Sequence, residues 1–184
     1  VYDVVRGAQA RLETNNTDAE VATDSGLTAF NSNGFTLGTL AQVNTNTATY
    51  AAWCWDAGSS TVTNTAGTIS SQVRANASAG FSIVTYTGTG ANATVGHGLG
   101  VAPGLVIVKQ RTAASTTNWG VWHTSIANTE YLLLNSAAAK TTGATYWNST
   151  SPTSSAFSLG TAADINTNTG TYVAYCFAPV AGYS

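Results

Sequence analysis

Residues Phe157 to Cys176 read FSLGTAADINTNTGTYVAYC, and the stretch closes on the run Tyr172-Val173-Ala174-Tyr175-Cys176-Phe177. Side chains alternate across a strand, so Tyr172, Ala174 and Cys176 share one face while Val173, Tyr175 and Phe177 share the other. Both faces are apolar, which is expected of a central strand covered on both sides. The same words occur earlier in the chain. Phe35 to Cys54 reads FTLGTLAQVNTNTATYAAWC and aligns without a gap at an offset of 122, with 13 identities in 20 positions.

The correspondence extends upstream at an offset of 120. Val1-Tyr2-Asp3 aligns with Val121-Trp122-His123, Leu12 with Leu132, Asn15 with Asn135 and Ala19 with Ala139. A two-residue insertion between Thr141 and Ser155 reconciles the offsets, and the pattern is a tandem duplication. The first unit joins the register only at the equivalent of Val121. It therefore has no counterpart of Phe81-Ser82-Ile83-Val84-Thr85-Tyr86 or of Leu105-Val106-Ile107-Val108-Lys109. The expected organisation is a truncated first repeat over 1–58, a linker or peripheral strand pair over 59–80, and a complete second repeat over 81–184. Met is absent throughout, so Val1 reads as the start of a processed product or an excerpt.

Composition points to the same class. Thr supplies 31 residues, Gly 18, Ser 17 and Asn 15, against 6 Lys and Arg together. Thr, Val, Tyr, Trp and Phe suit pleated, half-buried strands, whereas the residues that populate helix surfaces are scarce. Strands are expected near 81–86, 104–110, 119–123, 130–135, 156–159 and 171–178, separated by Gly-, Asn- and Thr-rich turns. The fold class is all-β: antiparallel β-sandwich or jelly-roll-like repeats, one truncated and one complete. A net charge of -2 lacks the basic footprint that nucleic acid or an anionic membrane requires, and no run approaches the length of a membrane span. Solubility must come from hydroxyls and amides, which fits an extracellular localisation.

Candidate sites are few. Cys54 and Cys176 sit at matching places in two units and read as free, buried thiols acting as small hydrophobes. No Cys or His pair has ligand spacing, so no metal or cofactor is expected. Asn44-Thr45-Asn46-Thr47 and Asn166-Thr167-Asn168-Thr169 read as tight turns leading into the matching strands. Gly88-Thr89-Gly90-Ala91-Asn92-Ala93 follows a strand, but the Gly-rich residues after it cannot form the helix a dinucleotide fingerprint needs. His97 in that loop reads as a turn histidine, with no nucleophile or acid placed beside it. Asp3, Glu13 and Glu20 have no acidic counterparts in the second unit, so no catalytic residue is assigned and no enzyme is expected. Trp122 matches Tyr2 and reads as core. Tyr146 and Trp147 lie in the segment carrying the insertion, and there they read either as a loop folded over its own core or as a glycan contact. Sequons occur at Asn15, Asn76, Asn92 and Asn148, where N-glycosylation requires a glycosylating secretory system.

Several of these words together resemble a known repeat. Phe81-Ser-Ile-Val-Thr-Tyr-Thr-Gly, Val95-Gly-His-Gly-Leu-Gly-Val-Ala-Pro, Tyr131-Leu-Leu-Leu-Asn and Thr171-Tyr-Val-Ala-Tyr-Cys-Phe-Ala-Pro are similar to a repeat domain of tail-fibre-like structural proteins of aquatic bacteriophages. Trp147-Asn-Ser-Thr-Ser-Pro-Thr-Ser is similar to it as well. The resemblance implies a virion appendage and a non-enzymatic spacer or adhesin, with no catalytic residues to carry over. Expected partners are other copies of the chain, as a homo-oligomer or filament, and a host-surface polysaccharide. Two other functions remain open at this level. One is a filament subunit assembled head-to-tail by strand complementation. The other is a carbohydrate-binding module.

Overall fold

The computed structural model describes residues 1–112 and 116–182. In chain order its elements are β1 (Leu27–Asn31), β2 (Gly34–Leu37), α1 (Ala41–Asn44), β3 (Val62–Asn64), β4 (Ser71–Asn76), β5 (Phe81–Thr87), β6 (Ala93–Gly96), β7 (Leu105–Gln110), β8 (Gly120–His123), β9 (Glu130–Leu133), β10 (Thr141–Thr142), α2 (Ala144–Trp147), β11 (Ala156–Leu159), α3 (Ala163–Asn166) and β12 (Thr171–Phe177). The fold is all-β and sandwich-like. Its main sheet is antiparallel, in the order β10-β9-β8-β7-β12-β5-β4-β3. Strand β12 is central, paired with β5 from Thr171↔Thr87 to Phe177↔Phe81 and with β7 from Tyr172↔Gln110 to Phe177↔Leu105. Both edges of its backbone are thereby satisfied.

Each face of β12 enters a different core, as its alternation requires. Tyr172, Ala174 and Cys176 pack with Val84, Val106 and Val108 beneath a second layer made by the β6–β11 pair, α2 and α3. Val173, Tyr175 and Phe177 pack on the opposite face with Phe81, Ile83, Ile107 and Trp119. That face is covered by the first unit, through Leu12, Val4, Val5 and Ala57.

The duplication is structural as well as textual. The contact between Val1 and Leu12 repeats as the β8–β9 pair Val121↔Leu132, and the bridge Arg11↔Val21 repeats as Tyr131↔Thr141. Strand β2 matches β11, and α1 matches α3 residue for residue. Gly38 and Gly160 hold the same place in both units. A Cβ there would lie 2.1 Å from the backbone oxygen of Ser25 or Thr145, so only glycine lets the chains approach this closely.

Of the two readings of 59–80, the structure has the peripheral strand pair, because β3 and β4 extend the main sheet beyond β5. Its apolar signal was thin because only one face of β4 is covered: Val73 is buried against Val84, while Gln72 faces outward. Cys54 is exposed rather than buried, although both thiols are free. Its segment, the counterpart of β12, forms no strand.

The same register position should therefore carry opposite weights in the two units. Tyr175→Ala is expected to cost about 3–5 kcal/mol, as for other buried aromatic truncations. Trp53→Ala, at its counterpart, should stay within about 0.5 kcal/mol. Urea denaturation of the two variants measures the difference.

Candidate functional site

Two features stand out as candidate sites. The first is the junction between the units. Arg6 is buried there, and it bonds Asp3, Glu20 (2.8 Å) and the Tyr175 hydroxyl (3.1 Å). The Tyr175 hydroxyl in turn donates to Asp3 at 2.7 Å. Arg111 closes the cluster by gripping both oxygens of Glu20 at 2.9 Å. Burial opposes Arg6's charge, but the oxygens of Tyr175, Asp3 and Glu20 more than restore it. Burial alone would also raise the Glu20 carboxyl, yet the Arg111 and Arg6 hydrogen bonds hold it below the usual range. Lys109 is fully buried beside this cluster and donates to the carbonyls of Thr17 (3.0 Å) and Thr117 (2.7 Å). Desolvation pushes its ammonium down to about 8. Trp119 donates its indole N–H to the Glu13 carbonyl at 2.9 Å. The side chains of four second-unit residues, Tyr175, Arg111, Lys109 and Trp119, thus bind polar groups of the first unit across the sheet face.

The second feature is the segment Thr49–Trp55. Its approach is built as in the complete unit. The Asn44 amide donates to the Gly38 carbonyl at 2.7 Å, and Asn166 donates to Gly160 at 2.7 Å. The Tyr50 hydroxyl donates to the Ala41 carbonyl and accepts the Thr45 N–H, just as Tyr172 does with Ala163 and Thr167. The left-handed backbone in these turns falls on a Thr rather than an Asn, with φ 67° at Thr47 and 64° at Thr169. A β-branched residue is costly there. The tyrosine clamp recurs around both turns, so the strain is held locally. Beyond the clamp the units diverge. Among the described residues no strand pairs with Thr49–Trp55, and Tyr50 (51%), Trp53 (78%) and Trp55 (50%) stand exposed. Trp55 finds partial cover, its ring 5.9 Å from Phe177 and 6.3 Å from Phe81.

The remaining candidates fall elsewhere. Tyr146 and Trp147 are buried core on α2, where Tyr146 stacks on Tyr131 at 3.6 Å and its hydroxyl donates to Asp164. Neither ring presents a face for a sugar, so the glycan-contact reading of this pair is withdrawn. His97 is fully buried. Its Nδ1 accepts the Leu99 N–H, so Nε2 carries the proton toward the Thr153 carbonyl at 3.1 Å. It is a turn histidine, and burial lowers its affinity for a second proton despite that carbonyl. Of the sequons, Asn15 and Asn92 are exposed and Asn76 and Asn148 half-buried. Asn92 donates to the Asn148 side chain at 2.8 Å, and Asn76 donates to Asp56 at 2.9 Å. Among the described residues no three His, Cys, Asp or Glu side chains could hold a metal ion, and no helix is long and apolar enough to cross a membrane. Sequence reasoning missed the junction cluster because Arg111 and Tyr175 lie far along the chain from Asp3, Arg6 and Glu20. The only signal was negative: Asp3, Arg6 and Glu20 are matched by His123, Ile126 and Lys140 in the other unit.

A family model described as a domain of unknown function (DUF7483) matches residues 1–184. No curated protein and no solved structure matches significantly.

Arg6→Ala is expected to cost about 3–5 kcal/mol, because it leaves buried oxygens without their cation. Arg111→Ala, whose side chain is a quarter exposed, should cost about 1 kcal/mol or less. Chemical denaturation of both variants checks the ranking. Lys109 gives a pH signature. The folded state releases its proton near 8 and the unfolded chain near 10.5, so the unfolded state binds more protons between those values. Stability should therefore rise across that window in the parent chain and lose that rise in Lys109→Met.

Proposed function

The chain belongs to the DUF7483 family, and we propose that it is a non-enzymatic structural repeat of an extracellular appendage, acting as a spacer or adhesin. The observation that carries this reading is the junction between units. A spacer must transmit load from one repeat to the next without a flexible hinge. Here the first unit supplies one cover of the second unit's sheet, locked by a buried ion cluster and by Leu12 against Trp119 and Tyr175. Interfaces between domains within a chain ordinarily allow relative motion unless they are extensively packed. The buried ionisable groups support the same reading, since Lys109, Arg6 and His97 are each spent on structural hydrogen bonds.

The low charge and the run of β-structure fit an extracellular fibre, of the tail-fibre kind that the sequence resembles. Its partners would be further repeats of the same kind and, at an adhesive tip, a host-surface polysaccharide. The test is imaging of the native assembly. Antibody raised against residues 1–184 should label a thin appendage of virions or cells at regular intervals. Label confined to unassembled soluble material would overturn the proposal.

A further inference from the structure

We infer that Thr49–Trp55 is an open strand position, completed by an antiparallel strand pair of the β5 and β7 kind entering along both of its edges. The duplication identifies the occupant. TYAAWCW at 49–55 corresponds to TYVAYCF at 171–177, and in the complete unit that strand lies between β5 and β7. Those are the elements for which the first unit has no counterpart. A strand bare on both edges exposes two rows of unpaired backbone groups, which recruit strands. Its side chains are also those of a central strand, with Trp53 and Cys54 exposed where Tyr175 and Cys176 are buried.

A second observation points to the same occupant. In the complete unit Asn166 receives the Thr89 N–H at 2.8 Å and donates to the Ala91 carbonyl at 2.7 Å, so the loop after β5 is pinned to α3. Asn44 keeps the equivalent inner bond to Gly38, but its side chain is exposed where the loop would dock. A folded second copy is a poor donor. Its β5 already lies between β12 and β4, and its β7 between β12 and β8, so neither has a free edge. The donor is therefore a segment of the Phe81–Gly120 type whose strands are not yet engaged. The inference names the partner of the structural repeat proposed above. It rests on that reading only in treating the repeat as the working unit.

The test places a copy of Phe81–Gly120 directly before Val1, where the register of the repeat puts it, and follows thiol labelling. In the parent chain Cys54 should react immediately and Cys176 only on unfolding. In the extended chain Cys54 should slow by on the order of 100-fold, with matching protection of the 50–55 amides from hydrogen exchange. Ala52→Pro, which removes a strand N–H, should restore fast labelling. Unchanged Cys54 labelling in an extended chain whose Cys176 stays protected would overturn the inference. So would protection of Cys54 in the parent chain that grows with concentration, because a second copy would then be the occupant. If the extension exposes Cys176, the same 40-residue polypeptide added free to the parent chain decides: slowed labelling supports the inference and unchanged labelling sinks it. Labelling does not report on appendage location, so this outcome and that of the imaging experiment are separable.

Discussion

A strand apolar on both faces can be buried only if both of its backbone edges are hydrogen-bonded, since unpaired amides inside a core cost more than side-chain burial returns. Thr171–Phe177 meets that condition through β5 and β7, and everything else is arranged around it. One face requires the β6–β11 layer with its short helices. The other requires a cover that the second unit does not itself supply, and residues 1–24 and Ala57 provide it. The two repeats are therefore not beads on a string. The completeness of one core depends on the other unit.

The charges follow from this arrangement. A chain with so few ionisable groups places four of them, Asp3, Arg6, Glu20 and Arg111, in one cluster at the junction, with Lys109 beside it. Such a cluster adds little net stability over apolar packing, but it penalises any misplacement, because each lost partner strands a buried charge. It fixes the position of one unit on the other. The residues at the matching places of the second unit, His123, Ile126 and Lys140, could not form it.

Much of the fold was legible because strand periodicity and the duplication reinforce one another. Six strands of the second unit fall within two residues of their expected bounds. Strands β4 and β6 give a weak sequence signal for a shared reason. Val95 of β6 sits among Gly96, Gly98 and Gly100, and β4 has only Val73 as a large aliphatic, so neither run shows an alternation long enough to read. The burial of Tyr146 and Trp147 was one of two readings open to the sequence. Their partners, Tyr131 and Asp164, lie on other elements, so only contact in space decides between them.

The all-β class, the tandem repeat, the two-faced character of β12 and the local turn that leads into it are all legible in the residues alone. These depend on period, composition and hydrogen bonds spanning a few residues, which explains why the tyrosine clamp forms identically in both units. Tertiary structure alone decided the fate of the strand beyond that turn. TYVAYCF is buried, while among the described residues no strand pairs with TYAAWCW, because pairing depends on neighbours distant in the chain. Two segments that share four of seven residues become core or open edge according to what lies beside them.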